Sequence, residues 1–257
     1  MISITLNGEA VSVEEGRTVL EVARERGIDI PSLCYHESLG PYGACRLCIV
    51  DAEGPGLRKG LTASCTLRVS AGMVVETDSP AVVRARKVIL ELLLDRAPES
   101  ARLQQLAARL GTSAQHACAA TVGNENCIRC GLCIRVCREK IGAAALCFAG
   151  RGQKKHVAAE FDQISQSCIG CGACTQICPT GAICIEDADQ MRRIAVDGRV
   201  ISEQPLLACS TCGAPTQTAA QRDFLRQRLP AHVSSHLQRE LCPACVRKLA
   251  DRPWASA

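Results

Sequence analysis

CIRCGLCIRVC, residues 127–137, returns as CIGCGACTQIC, residues 168–178; both fit CIxCGxCxxxC. Four cysteines in eleven residues can be a disulfide staple, a zinc knuckle or an iron–sulfur nest. The rest of the chain narrows the choice. It has 257 residues and nineteen cysteines, but aromatics make up only 2%. Conventional cores lean on Phe, Tyr and Trp for buried area, and bound metal can replace that contribution because its binding free energy is also folding free energy. No basic region followed by an apolar stretch opens the chain, and no run reaches 18 apolar residues. The expected setting is therefore cytoplasmic and reducing, without a membrane span. Clustered thiols there point to metal ligation more than to disulfides.

C-x2-C-x2-C-x3-C is the run that holds [4Fe–4S] clusters. Its first three thiolates turn around one corner of a cube, and the fourth reaches a neighbouring cluster. The second copy also carries the proline that ends such runs, Pro179. The expected first cluster takes Cys127, Cys130, Cys133 and Cys178; the second takes Cys137, Cys168, Cys171 and Cys174. Gly131, Gly170 and Gly172 let backbone N–H groups approach sulfur with no Cβ in the way. Zinc needs one tetrahedral set, usually from separated CxxC pairs, so a doubled run favours two clusters.

Upstream, Ile2, Ile4 and Leu6 alternate with polar residues, Asn7-Gly8 follows, and Val11 and Val13 alternate again, which reads as a β-hairpin. Thr18 and Glu21 make a capping box for a helix reaching Arg26, with Gly27 as its stop. Strand, strand, helix, a cysteine-bearing loop and further strands suggest a β-grasp domain ending near Pro80. Residues 81–111 read as helices, interrupted at Pro98 and capped by Gly111. The fold expected is α+β: a β-grasp [2Fe–2S] domain at 1–79, a helical linker at 80–120, a 2[4Fe–4S] domain at 121–205 and a zinc-ribbon-like tail at 206–257, with DRPWASA as a loose end.

LCYHESLGPYGACRLCIV with Cys65 downstream gives C-x10-C-x2-C-x16-C. Four cysteines on such a loop suit a [2Fe–2S] cluster, although the first gap exceeds the plant-type spacing; a zinc site on the same loop is the alternative. Here the chain resembles the N-terminal region of the large iron–sulfur subunit of respiratory complex I. It is equally similar to the iron–sulfur diaphorase subunit of NAD-reducing [NiFe] hydrogenases and to the N-termini of [FeFe] hydrogenases and NAD-dependent formate dehydrogenases. The resemblance covers residues 1–186, including the insert GRGQKKHVAAEF. It implies that Cys34, Cys45, Cys48 and Cys65 are the [2Fe–2S] ligands. It also implies partners: a flavin/NAD(P)-binding subunit and a catalytic hydrogenase or formate dehydrogenase subunit.

One departure stands out. The family usually carries a further [4Fe–4S] cluster on one His and three Cys before a helix resembling LQQLAARLG. Here LLLDRAPESARLQQLAARLG holds neither residue type, and His116 and Cys118 are too few. That cluster is expected to be absent. The remaining clusters then pack closer, a partner bridges the gap, or the [2Fe–2S] cluster serves a branch of its own.

Cys209, Cys212, Cys242 and Cys245 form two CxxC knuckles suited to structural zinc, with another iron–sulfur centre or free thiols as alternatives. Cys118, Cys147 and Cys184 are left as small buried apolar residues. Arg46 and Arg129 sit between candidate ligands, either favouring reduced clusters or simply solvated. Gly150-Arg-Gly152 is a lone GxG, and no P-loop, nucleophile constellation or carboxylate pair is readable. The net charge of +4 is too weak for a phosphate-binding stripe. The expected function is an electron-transfer subunit of an NAD(P)-linked oxidoreductase with no active site of its own. The alternative is a zinc-dependent docking protein whose clusters serve structure or redox sensing.

Overall fold

The computed structural model describes residues 1–113, 126–230 and 240–250. His116, Cys118 and the DRPWASA end lie outside them. The chain forms two compact units: Met1–Arg135 with Cys178–Ala182, and Val136–Ile177 with the residues from Ile183 on.

In the first unit, β1 (Ile2–Leu6) and β2 (Glu9–Val13) form the hairpin, in the register Ile2↔Val13 to Leu6↔Glu9. Asn7 and Gly8 both have positive φ, 51° and 83°, as a type I′ turn requires. The Asn7 side chain also ties the turn to the end of a distant strand: its Nδ2 donates to Thr77 Oγ1 at 2.9 Å, and its Oδ1 accepts from the Thr77 N–H at 2.8 Å.

Helix α1 (Val19–Glu25) starts with the expected capping box: Thr18 Oγ1 accepts from the Glu21 N–H, and Glu21 Oε2 accepts from the Thr18 N–H. It ends at Gly27 with φ 73°, and the Ile28 N–H reaches back to the Ala23 carbonyl, a Schellman closure. Thr18→Ala should cost about 1 kcal/mol, read as a lower denaturant midpoint at unchanged slope; an unmoved midpoint would mean the cap adds nothing.

Strands β3 (Ile49–Gly54), β4 (Leu57–Ala63) and β5 (Val74–Glu76) complete a mixed sheet in the order β2-β1-β5-β3-β4, with β5 parallel to β1. The inward residues of this sheet bury Val19, Leu20, Val22 and Ala23 of α1, and Cys48 and Cys65 belong to the same cluster. Its buried members are all aliphatic or sulfur-bearing, so two candidate ligands do packing work that aromatics do elsewhere.

Helix α2 (Pro80–Arg96) begins with Ser79 as N-cap and Pro80 in its first turn, and α3 (Ala101–Leu110) closes on Gly111 in the left-handed conformation. The buried stripe of α2 is Val82, Arg86, Leu90 and Leu94. A charged residue thus occupies one of four core positions.

The second unit opens with helical turns at Val136–Ile141, which continue α4 (Leu132–Arg135) as a π-helix. A small hairpin follows, β6 (Cys147–Ala149) with β7 (His156–Ala158), and then α5 (Ala173–Ile177). The lone GxG falls in the connection of that hairpin. Gly150 has φ 70°, and a Cβ there would stand 2.4 Å from the Lys154 carbonyl oxygen, so a tight turn accounts for the glycine.

An antiparallel sheet, ordered β11-β10-β9-β8, comprises β8 (Ile183–Ala188), β9 (Met191–Val196), β10 (Arg199–Ala208) and β11 (Pro215–Thr218). Its two-residue turns are Asp189-Gln190 and Asp197-Gly198, all four with positive φ. Strand β10 runs through position 205, so one sheet holds residues from both the expected cluster domain and the expected tail. Beyond it lie α6 (Ala219–Arg228) and α7 (Pro243–Ala250). Among the described residues no helix is long and apolar enough to cross a membrane.

Candidate metal centres

The loop between α1 and β3, together with the turn after β4, places Cys34, Cys45, Cys48 and Cys65 inside the first unit, each 5% exposed or less. The Cys45 N–H points at Cys34 Sγ at 3.4 Å. The hydrogen bond between the Cys34 and Cys45 thiols pulls Cys45 down to about 6 and pushes Cys34 up. Cys48 and Cys65 pair the same way, with Cys48 drawn down to about 6. Each pair thus readily offers one thiolate, the form that binds metal. Four buried sulfurs held as two adjacent pairs, with N–H groups directed at sulfur, match the donor set of a [2Fe–2S] cluster.

The paired runs divide in an unusual way. The chain leaves the first unit between Cys133 and Cys137 and returns to it between Cys174 and Cys178. Each run therefore gives three sulfurs to one unit and its fourth to the other. Cys137 lines one apolar cavity with Cys168, Cys171 and Cys174, walled by Leu146, Ile194 and Ile201. Burial pushes Cys174 up to about 12 and raises Cys137. N–H groups of Ala145 and Gly170 point at the sulfurs of Cys137 and Cys168 at 3.3 and 3.4 Å.

In the first unit, burial drives Cys130 up to about 12, and negative charge on Cys178, Cys127 and Cys45 adds to the rise. Cys178 thus sits within electrostatic reach of the run at 127–133. The Arg129 N–H lies 3.4 Å from Cys127 Sγ, and Arg129 itself has φ 55°. Gly131, with φ 77°, faces Tyr42: a Cβ there would be 2.9 Å from the ring. Gly131→Ala should therefore destabilise this unit by roughly 1–3 kcal/mol through strained backbone and ring displacement. Thermal unfolding with clusters intact measures it, and an unchanged Tm would contradict the packing.

In the tail, the sulfurs of Cys209, Cys212, Cys242 and Cys245 all lie within 4.8 Å of one another. The Cys242 N–H donates to Cys209 Sγ at 3.3 Å and draws that thiol down to about 6. The Cys245 N–H donates to Cys242 Sγ at 3.4 Å and lowers Cys242. Such a closed four-thiolate arrangement fits a tetrahedral structural ion.

One expectation is corrected. Cys147 and Cys184 are exposed, because each sits at an outward-facing position of a short strand. Arg46 is exposed, in line with the solvated reading of the two left open for it. Among the described residues the buried cations are Arg86 and Arg135, and Arg192 is half-buried. Arg86 on α2 is 4% exposed and donates through Nη2 to the Ile49 carbonyl, next to Cys48, at 2.7 Å. Arg135, 7% exposed, stacks over Tyr42 at 5.2 Å. Arg192 holds Asp187 through two 2.7 Å bonds and donates to the Gly170 carbonyl at 3.0 Å, tying β9 to the Cys168–Cys171 loop. Arg86 had a signal in the sequence, a charge on the apolar stripe of a helix.

Comparison with known proteins places these sites among relatives. Residues 1–80 match a model described as a 2Fe-2S iron-sulfur cluster binding domain, and residues 126–182 match a 4Fe-4S dicluster domain. Fold, sulfur geometry and these matches define an iron–sulfur protein built from ferredoxin-type domains. The mitochondrial NADH-ubiquinone oxidoreductase 78 kDa subunit of Candida albicans is 31% identical over 186 residues, 63% of this chain and 25% of that protein. The NAD-reducing hydrogenase HoxS subunit gamma of Cupriavidus necator is 42% identical over 92 residues, 36% of this chain and 37% of that protein. A chain in a crystal structure of NAD+-reducing [NiFe]-hydrogenase in the H2-reduced state is 31% identical; the match covers 62% of this chain and 75% of that one, with a TM-score of 0.54. The chain belongs to the family of iron–sulfur subunits found in NADH-quinone oxidoreductases and NAD-reducing hydrogenases. It spans about a quarter of the length of the first curated relatives it matches.

Proposed function

We propose that the chain is a cytoplasmic electron relay carrying one [2Fe–2S] cluster, two [4Fe–4S] clusters and one structural zinc. The observation that supports this reading is the grouping of fourth cysteines with the other run: Cys137 shares a cavity with Cys168, Cys171 and Cys174, while charge on Cys178 acts on Cys130. Bound iron–sulfur clusters pass single electrons at potentials set by ligand type, hydrogen bonds to sulfur and exposure. This chain's own part is to hold the sulfurs. Cys34, Cys45, Cys48 and Cys65 hold the [2Fe–2S] group, here read as seated on a β-grasp sheet. Cys127, Cys130, Cys133 and Cys178 hold the first [4Fe–4S] group, and Cys137, Cys168, Cys171 and Cys174 the second. Backbone N–H groups at 129, 145 and 170 stabilise charge on sulfur, and the aliphatic walls keep water away from it. Cys209, Cys212, Cys242 and Cys245 bind zinc and fold the tail as a zinc ribbon.

The relay joins a flavin/NAD(P) subunit to a catalytic subunit of hydrogenase or formate dehydrogenase type. Support comes from the relatives for the hydrogenase and from the sequence resemblance for the formate enzyme. Anaerobic purification of the chain from its host should bring both partner subunits, and NAD(P)H should reduce its clusters in that complex. Clusters that stay oxidised with NAD(P)H, although dithionite reduces them, would contradict the reading.

A further inference from the structure

We infer that Arg86 is the buried counter-charge of the [2Fe–2S] site and holds that cluster's reduction potential up. The inference rests on the proposed role of Cys34, Cys45, Cys48 and Cys65. It begins with an energetic oddity. Arg86 lies on the core-facing stripe of α2 between Val82 and Leu90, both fully buried, and is itself 4% exposed. Burying a guanidinium is expensive unless charge and hydrogen bonds offset it. Among the described residues Arg86 makes one hydrogen bond, from Nη2 to the Ile49 carbonyl at 2.7 Å, and its buried Nε has no partner. It forms no ion pair among the described residues. Asp78, whose charge also reaches it, is exposed, so water and salt screen that attraction.

Asp29 also acts on Arg86, but it is exposed and already paired with Arg109; the buried negative group is Cys48, one residue from the carbonyl Arg86 binds. As a protein of bare thiols, this region holds a buried cation with little to oppose it. With four thiolates around iron and sulfide it faces a net anion. Reduction adds one electron, and so one more negative charge, to that anion. A fixed buried cation favours the more negative state, so Arg86 stabilises the reduced cluster more than the oxidised one. Arginine suits the task because its guanidinium keeps its charge when buried. The adjacent sequence also fits: Ser64 Oγ and N–H bind the Cys48 carbonyl at 2.7 and 3.0 Å, so the segment carrying the ligand is held while Arg86 grips the next carbonyl.

The test is a dithionite-poised redox titration of the full chain, following the [2Fe–2S] EPR signal in wild type, Arg86→Met and Arg86→Lys. Iron and sulfide counts on each variant show that the cluster is present. At a fixed potential the reduced-to-oxidised ratio of the Met variant should fall by about tenfold, ~59 mV for a one-electron couple. Lys should restore most of the shift, and the [4Fe–4S] signals should not move. A Met variant that holds its cluster at the wild-type potential overturns the inference, as does a Lys variant shifted as far as Met. If Met fails to assemble the cluster, the Lys titration decides alone: a near-wild-type potential upholds the role and a Met-like loss overturns it. A wild-type chain with no [2Fe–2S] signal overturns the ligand assignment itself, which separates the two failures.

Discussion

Under the proposed ligand sets, Cys137→Ala should remove the cluster of Cys168, Cys171 and Cys174 and spare the one held by its own neighbours. Sequence proximity argues the reverse, since Cys137 is four residues from Cys133 and thirty-one from Cys168. The fold decides: Cys137 lines the apolar cavity of the second nest, and burial together with charge on Cys168 and Cys171 acts on its thiol. Changes to outer-shell partners alone typically cost 10–100-fold in metal affinity, so loss of a ligand should cut the second [4Fe–4S] EPR signal to below about a tenth. Cys178→Ala should do the same to the first cluster, because Cys178 belongs with the residues up to Arg135. Quantitative EPR on the two variants, with iron counts, reads both effects. If Cys137→Ala erases the first signal and leaves the second, the crossover is wrong.

The second large effect concerns the tail. Helix α6 buries none of its residues, and among the described residues Cys209, Cys242 and Cys245 form a small buried cluster, with Ala214 and Leu241 packed against it. So small an apolar core cannot offset the entropy of ordering the segment. Structural zinc in small finger peptides supplies about 10–16 kcal/mol of apparent binding free energy, far above any other term available there. If the proposed zinc is bound, stripping it with a chelator should therefore unfold residues 209–230 and 240–250 while the N-terminal sheet stays protected, as seen by hydrogen exchange. Cys242→Ser should reproduce the effect without chelator. Equal protection of the tail before and after metal removal would mean that the thiols fold it unaided.

How much of this could be read from the chain depends on which physics dominates locally. The hairpin at Asn7-Gly8, the Thr18–Glu21 box and the Gly111 cap were legible because a few residues fix φ or a cap bond on their own. The placement of Cys137 in one cavity with Cys168, Cys171 and Cys174 accords with C-x2-C-x2-C-x3-C, in which the fourth thiolate cannot join its own three. The hairpins of β8 to β10 were not among the expectations, although Asp197-Gly198 between alternating residues is a strong turn signal. Cys147 and Cys184 were expected inside because free cysteine is usually buried, and short strands with one solvated face overrode that tendency. Arg86 and Arg192 were missed because only the fold shows which side of a helix or strand faces the cysteine-bearing segments.

Metal analysis of the anaerobically purified chain tests the central claim most directly. With EPR spectra recorded on the same sample, it should give about ten irons, about ten acid-labile sulfides and about one zinc per chain. One signal should come from a [2Fe–2S] cluster and the others from [4Fe–4S] clusters. Zinc without acid-labile sulfide would contradict the relay and leave a docking protein in its place.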